Sequence, residues 1–258
     1  MTSNRVAALY DIHANLPALE AVLTEVEQVG VERVVVGGDI FPGPLPLATF
    51  ARLRELQKKI PTDFIYGNCE VAVLLSREGK DPGRMPEPSK EAMRWTAQQL
   101  SVEQEHAVRA WPKTLTLEIE GLGEALFCHG TPRDENEIFT KLTPESAALP
   151  AFAGVNAKLI VCGHTHMQFD RMIGKTRVMN AGSIGMPFGK PGADWLLLGR
   201  DVGNDGVELR HTDYDLQAAA ARVRVSDYPM AEEFAEKYML HPPAEKDMLD
   251  LFTKAGMK

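Results

Sequence analysis

Long apolar runs are missing from this chain. No stretch of about 18 apolar residues is available to span a bilayer. The opening residues, MTSNRVAALYDIH, carry one Arg and then a short β-prone run. They lack the long apolar core and small-residue cleavage site of an export signal. Cysteine is scarce as well. Cys69, Cys128 and Cys162 are odd in number and widely spaced, which suits a reducing compartment better than a disulfide framework. These absences lead to the expectation of a cytoplasmic protein with no membrane partner. A basic excess is also missing: net charge is -8 and no basic stretch stands out, so long nucleic acid is not an expected partner. Bound divalent cations would invert that sign locally. There is no internal repeat and no low-complexity segment. The 258 residues, 44% of them hydrophobic, suffice for one sizeable core, and 1–258 is read as a single domain. A homo-oligomer is compatible with this reading.

The first 68 residues alternate between strand and helix patterns. Arg5–Asp11 is β-prone and ends in an acid. Leu16, Leu19, Val22, Leu23 and Val26 follow at helical spacing, and Gly30 suits the position past the helix end. RVVVGGD at Arg33–Asp39 is a continuous apolar run, as in a strand buried on both faces. Leu45–Lys59 is amphipathic, and Pro61–Asn68 reads as a third strand. Such β-α-β-α-β alternation implies a parallel sheet, with ligands bound outside the carboxyl ends of the strands.

Beyond that point the pattern changes. Ser76–Pro88 is polar and rich in Gly and Pro, and reads as a loop. Ser89–Leu100 and Ser101–Trp111 read as helices with Ser at each N-cap, and Ser101 with Gln104 forms a capping box. Residues 76–111 are thus a helical insert, expected to fold over one side of the strand-end crevice or to pack outside it as an added layer. Strands follow at Leu115–Glu120, Glu124–His129 and Lys158–Gly163, separated by a loop and helix over Thr131–Ala153. Gln168–Ile173, Arg177–Ser183, Asp194–Gly199 and Val207–Tyr214 read as antiparallel strands. The tail, 215–258, is helical with breaks at Pro229 and Pro242-Pro243.

The placement of His and Asp carries the chemistry. Of seven histidines, His13, His129, His164 and His166 sit at or just after the carboxyl ends of strand patterns, as do Asp11, Asp39 and Asn68. On one sheet edge these side chains would converge. Mixed imidazole and carboxylate donors suit Mn, Fe, Ni, Co or Zn rather than Ca or Mg. A shared carboxylate can bridge two ions about 3.5–4 Å apart, a spacing that clamps the attacking and leaving oxygens of a phosphoryl group. Any one of these residues alone is most often a cap or turn residue. Cys128 and Cys162 lie inside apolar runs and read as small core residues. His106, His211 and His241 have no motif context.

DIHAN (Asp11–Asn15), GGD (Gly37–Asp39), GNCE (Gly67–Glu70), CHG (Cys128–Gly130) and GHTH (Gly163–His166) resemble, in order and spacing, the five motifs of the calcineurin-like metallophosphoesterase superfamily. The resemblance runs from about residue 4 to residue 215. LPALEAVL after the first motif and HGTPR at His129–Arg133 resemble the bacterial branch of small phosphodiesterases and proteins related to diadenosine tetraphosphatases. The resemblance implies an α/β (α+β) fold, a four-layer αββα sandwich of two mixed sheets flanked by helices. It implies one metal on Asp11, His13, Asp39 and His166, and a second on Asp39, Asn68, His129 and His164, with Asp39 as the bridge. Two divalent transition-metal ions are expected, Mn first among Mn, Fe, Ni, Co and Zn.

One position departs from the pattern. Many members carry GNHE, with a His near the leaving group, and here that residue is Cys69. A thiol with a pKa of about 8.5 is a weak hydrogen-bond donor, which puts general-acid catalysis in doubt. Cys69 is therefore carried as a catalytic candidate beside Asp39, Asn68 and His129. Arg133 is a candidate for a bidentate phosphate contact, and Asn15 for a contact to a ligand or substrate oxygen. Asn180 and Ser183 are candidates for orienting a ligating His, and Phe41–Pro46 for shaping the pocket rim. The reading is two-metal hydrolysis of small phosphate esters, foremost phosphodiesters, by a hydroxide held between the metals. Phosphomonoesters and dinucleoside polyphosphates are the alternatives, since fold and metals do not select among them. A non-enzymatic metal-binding scaffold would be signalled by loss of a carboxylate or histidine, and all seven residues are present. A nuclease would be expected to add a basic domain, which is absent.

Overall fold

The computed structural model describes residues 3–257. Strands β1 (Arg5–Leu9), β2 (Arg33–Val36) and β3 (Thr62–Phe64) are joined by helices α1 (Leu16–Gln28) and α2 (Pro46–Lys59) and pair in parallel. Both helices begin with Pro in the first turn, where its missing N–H costs nothing. Asn15 caps α1 by accepting the Ala18 N–H at 3.2 Å, and Gly30 follows the helix end at φ 69°.

Three helices come next: α3 (Asn68–Arg77), α4 (Glu87–Gln99) and α5 (Val102–Arg109). Then come β4 (Thr114–Ile119), β5 (Gly123–Cys128), the short α6 (Glu145–Ala148), β6 (Leu159–Cys162), β7 (Phe169–Ile173), β8 (Thr176–Asn180), β9 (Ala193–Gly199) and β10 (Val207–Thr212). The tail holds α7 (Leu216–Arg224), α8 (Ala231–Phe234), which continues as a π-helical turn over Ala235–Leu240, and α9 (Glu245–Ala255).

The strands form two five-stranded mixed sheets, β10-β9-β1-β2-β3 and β4-β5-β6-β8-β7. The four C-terminal strands expected to be antiparallel divide between them. β9 and β10 pair antiparallel beside β1, whereas β8 is antiparallel to β7 and parallel to β6. Alternation along β1 explains the layering. Val6, Ala8 and Tyr10 enter the core between the sheets with Val35, Phe127 and Val161, while Ala7 and Leu9 meet Leu19, Leu23 and Trp195 under the helices. Each fully buried Val or Leu of this kind contributes roughly 1.5–3 kcal/mol. On the far side of the second sheet, Cys128 and Cys162 pack with Phe139, Phe152 and Ile160, so both are core residues as expected. The order of layers is that of the expected αββα sandwich.

Two local expectations are corrected. The third strand stops at Phe64, and Asn68 is the first residue of α3 instead of a strand end. Cys69, Ala72 and Val73 are buried at helical spacing, and Glu70 accepts the Gly67 N–H at 2.7 Å, which starts the helix early. The 76–88 loop is also shorter than read: α3 extends to Arg77 and α4 begins at Glu87, because Pro88 falls in a first turn that tolerates it. Ser89 therefore lies inside α4, whereas the Ser101–Gln104 capping box forms as read.

The insert makes contacts on both sides. Trp111 stacks on Phe64 at 5.0 Å, in the outer layer. Ala92 and Met93 of α4 reach a cavity that His13 and Cys69 also line. The tail closes over the same side, with Ala92 packed among Ala219, Tyr228 and Phe234.

Candidate metal centre

Four of the five motifs end on loops at the strand ends and the other, GNCE, opens α3; in DIHAN, GGD and GHTH the backbone is strained. Among the described residues, the non-glycine positions with positive φ are Asp11, His13, Ala14, Asp39, His164 and His166, at 46–67°. Five of the six are expected metal ligands. A left-handed non-glycine residue costs about 1–3 kcal/mol and persists where its surroundings over-determine it. Here they do. The loops after β1 and β2 are joined by His13 N–H to Asp39 O at 2.9 Å and Ala14 N–H to Ile40 O at 2.7 Å. Ser183 Oγ donates to Asp11 O at 2.8 Å. Close approach also dictates glycine. A Cβ on Gly163 would lie 2.4 Å from Asp11 Oδ2, and one on Gly67 would lie 2.2 Å from Asp39 Oδ1.

These loops bring all seven expected ligands together. Atoms of Asp11, His13 and His166 lie within 4.8 Å of one another, as do atoms of Asp39, His129 and His164. Asn68 Oδ1 joins the second trio at 3.0 Å from His129 Nε2. His13 Nε2 is 3.9 Å from both Asp11 Oδ1 and Asp39 Oδ2, so the two trios share an edge. Of the side-chain atoms among the described residues that are buried without a hydrogen-bond partner, two belong to these trios, Asp11 Oδ1 and His164 Nε2. Asp11 Oδ1 lies 3.2 Å from His166 Nε2, near enough for charge attraction but without hydrogen-bond alignment. Leaving such groups unsatisfied costs about 1–3 kcal/mol each, and a cation coordinated by them removes that cost. His129 and His166 are oriented from behind: their Nδ1–H groups donate to Gly37 O and Met186 O, both at 2.9 Å, which leaves each Nε2 facing the crevice.

Electrostatics give the same fit. Burial raises the pKa of Asp11 and Asp39, but the neighbouring His166 and His129 outweigh it and hold both carboxyls below the usual range. Burial lowers His129, yet Asp39 and Asp11 push it up to about 10. His166 is raised against burial by Asp11. His13 and His164 fall to about 4, through burial and through the charge on His166 and His129 respectively. In each trio the carboxylate favours positive charge beside it, Asp11 at His166 and Asp39 at His129. The donors of these two trios are nitrogen and oxygen, suited to divalent transition metals, and Cys69 Sγ forms a third group with His13 and Asp39.

The sequence profile of the calcineurin-like phosphoesterase superfamily domain matches residues 5–199. The chain belongs to that superfamily. It is a metal-dependent phosphoester hydrolase. An uncharacterised protein of Methanocaldococcus jannaschii is 25% identical over 240 residues, covering 86% of this chain and 93% of that one. Two crystal structures share the fold. A hypothetical protein from Pyrococcus horikoshii has a TM-score of 0.76 at 23% identity, covering 93% of this chain and 99% of that one. A metallophosphoesterase from Sphaerobacter thermophilus has a TM-score of 0.67 at 24% identity, with 90% and 97% covered.

In this metallophosphoesterase the softer candidates separate. Asn180 donates to Gly163 O and to Thr165 Oγ1, bracing the GHTH loop, and Ser183 Oγ accepts the Met186 N–H beside the carbonyl that orients His166. Asn15 commits its amide to Gly185 O at 3.0 Å and its oxygen to the α1 cap, a scaffold role in place of a ligand contact. Arg133 forks onto Glu137, so its guanidinium is already paired. Cys69 donates its backbone N–H to Asp39 Oδ1 at 2.9 Å, and burial, with Asp39 adding to it, pushes its thiol well above the ordinary range.

Glu70 was missed as a functional residue, although it closes the quoted GNCE motif. It is fully buried. Oε2 accepts the N–H groups of Gly67 at 2.7 Å and Asp39 at 2.8 Å, and Oε1 accepts those of Ile40 at 2.8 Å and Phe41 at 3.3 Å. One carboxylate thus joins the Asp39 loop to the Asn68 loop. Burial and then Asp39 push it up to about 7, against the four donors that favour its ionised form. The signal that could have found it is an acid in a short motif between Gly67 and an apolar helix.

Proposed function

We propose that this metallophosphoesterase hydrolyses phosphodiesters with two divalent transition-metal ions, Mn foremost. Asp11, His13, Asp39 and His166 would hold one ion, and Asp39, Asn68, His129 and His164 the other. The observation that carries this reading is the pair of adjoining trios, each with one unpartnered buried donor atom, Asp11 Oδ1 and His164 Nε2. When bound, the ions lower the pKa of a water and neutralise phosphate oxygens. The protein supplies the rest. Asp39, fixed by Glu70 and the Cys69 N–H, keeps the two donor sets in register. Gly37 O and Met186 O hold the rings of His129 and His166 in one tautomer and orientation. The loops hold this geometry before substrate arrives, which removes reorganisation from the barrier. The free, buried thiols of Cys69, Cys128 and Cys162 support a cytoplasmic setting. The packing of the tail on α4 supports one domain over 1–258.

The test is metal content beside activity. After exhaustive chelation, hydrolysis of a phosphodiester is expected to vanish and to return with Mn at about two ions per chain. Full recovery in Mg alone, or at one ion per chain, would overturn the two-transition-metal reading.

A further inference from the structure

Beside the candidate ligands lies a cavity of about 170 Å³. His13, Pro42 and Cys69 bound it on the metal side, and Ala92 and Met93 of α4 form one wall. Tyr228, Phe234 and Tyr238 of the tail form the opposite wall. Among the described residues no Asp, Glu, Lys or Arg lines it. The tail lies beyond residues 5–199, the span that matches the superfamily domain.

The aromatic wall is held before any ligand arrives. Tyr228 stands edge-on to Trp95, with centroids 5.4 Å apart, and edge-on to Phe234 at 6.2 Å. Phe234 leads into the π-helical turn Ala235–Leu240, which carries Tyr238. π turns are rare and concentrate at functional sites. The size is informative too: an apolar cavity of about 150 Å³ takes up one benzene ring. The walls supply ring faces and Met sulfur, both of which favour a planar ring. Away from its metal side the cavity offers a phosphate or carboxylate no cationic side chain, at a cost of several kcal/mol.

We propose that this cavity receives one neutral, planar, single-ring substituent of the phosphate ester, next to the phosphorus. The proposal rests on the phosphoesterase reading and adds a substrate class to it: aryl or base-bearing esters with no second phosphate on that arm. Cys69 lines the same space.

Binding to the metal-loaded protein tests this without turnover. Phenylphosphonate is expected to bind roughly tenfold or more tightly than methylphosphonate by titration calorimetry. 4-Carboxyphenylphosphonate is expected to lose that gain. Tyr238→Ala, and independently Ser89→Trp at the cavity wall, should abolish the preference while methylphosphonate affinity holds. Equal affinities for phenyl- and methylphosphonate would overturn the ring site and leave the phosphoesterase reading standing. Retention of the preference in both variants would place the ring elsewhere and also overturn it. Failure of every phosphonate to bind would overturn the two-metal phosphodiesterase reading and the ring site with it.

Discussion

Glu70→Gln isolates the carboxylate that ties the two metal-side loops together. The substitution keeps volume and changes one oxygen into an NH2 group. The amide can keep its oxygen on Gly67 and Asp39, at 2.7 and 2.8 Å, and must then point its NH2 at the N–H groups of Ile40 and Phe41, at 2.8 and 3.3 Å. Two buried donors lose their acceptor, at about 1–3 kcal/mol each, and the two surviving bonds lose their charge assistance. Correlation between the bonds reduces the sum, so a loss of about 3–5 kcal/mol is expected, a large share of the roughly 5–15 kcal/mol that holds a domain folded. The same change loosens Ile40 and Phe41, which follow Asp39 directly, and loss of such a supporting contact typically weakens metal affinity by about 10–100-fold. Urea denaturation measures the first effect. Metal titration under conditions where the variant is folded measures the second. A Glu70→Gln protein with an unchanged denaturation midpoint and unchanged metal affinity would refute the reasoning.

Asp39→Asn should be the most damaging single change at the centre, because it weakens both proposed sites at once. Elemental analysis is expected to show both ions depleted, and wild-type turnover with both bound would show that Asp39 is no bridge. Cys69→His should raise hydrolysis of alkyl esters more than aryl esters, since a tuned general acid is worth roughly 10²–10⁴-fold where the leaving group needs a proton. Equal changes for both classes at unchanged metal content would refute it. His211, 2.7 Å from Asp194, has its pKa raised by that hydrogen bond against partial burial. Its contribution is therefore complete below about pH 6.5 and disappears as pH rises through the raised value. It is expected to be no more than about 1 kcal/mol. The stability–pH curve of His211→Asn should lack this step, and parallel curves for variant and wild type above pH 6.5 would exclude it.

Much of this molecule was legible in the chain itself. Strand ends were legible because a continuous apolar run that stops at Asp11, Asp39 or His129 has few other structural meanings, and motif order then linked the strands. The buried Cys128 and Cys162 and the Ser101 cap followed from local rules that tertiary packing did not contest. The start of helix α3 was missed because Gly67 and Asn68 read as the end of the third strand, and the turn into the helix is set by the Glu70 carboxylate meeting the N–H groups of the Asp39 loop, about 30 positions away in sequence. The roles of Asn15 and Arg133 were equally closed to sequence reasoning. Each has the right chemistry for a ligand contact, and only the placement of Gly185 and Glu137 shows which partners those side chains have. The aromatic wall of the cavity depends on the most distant contacts, between α4 and a tail some 130 residues later. Periodicity marks both as amphipathic helices, but only packing decides which apolar face covers the core and which one lines the space beside the metals.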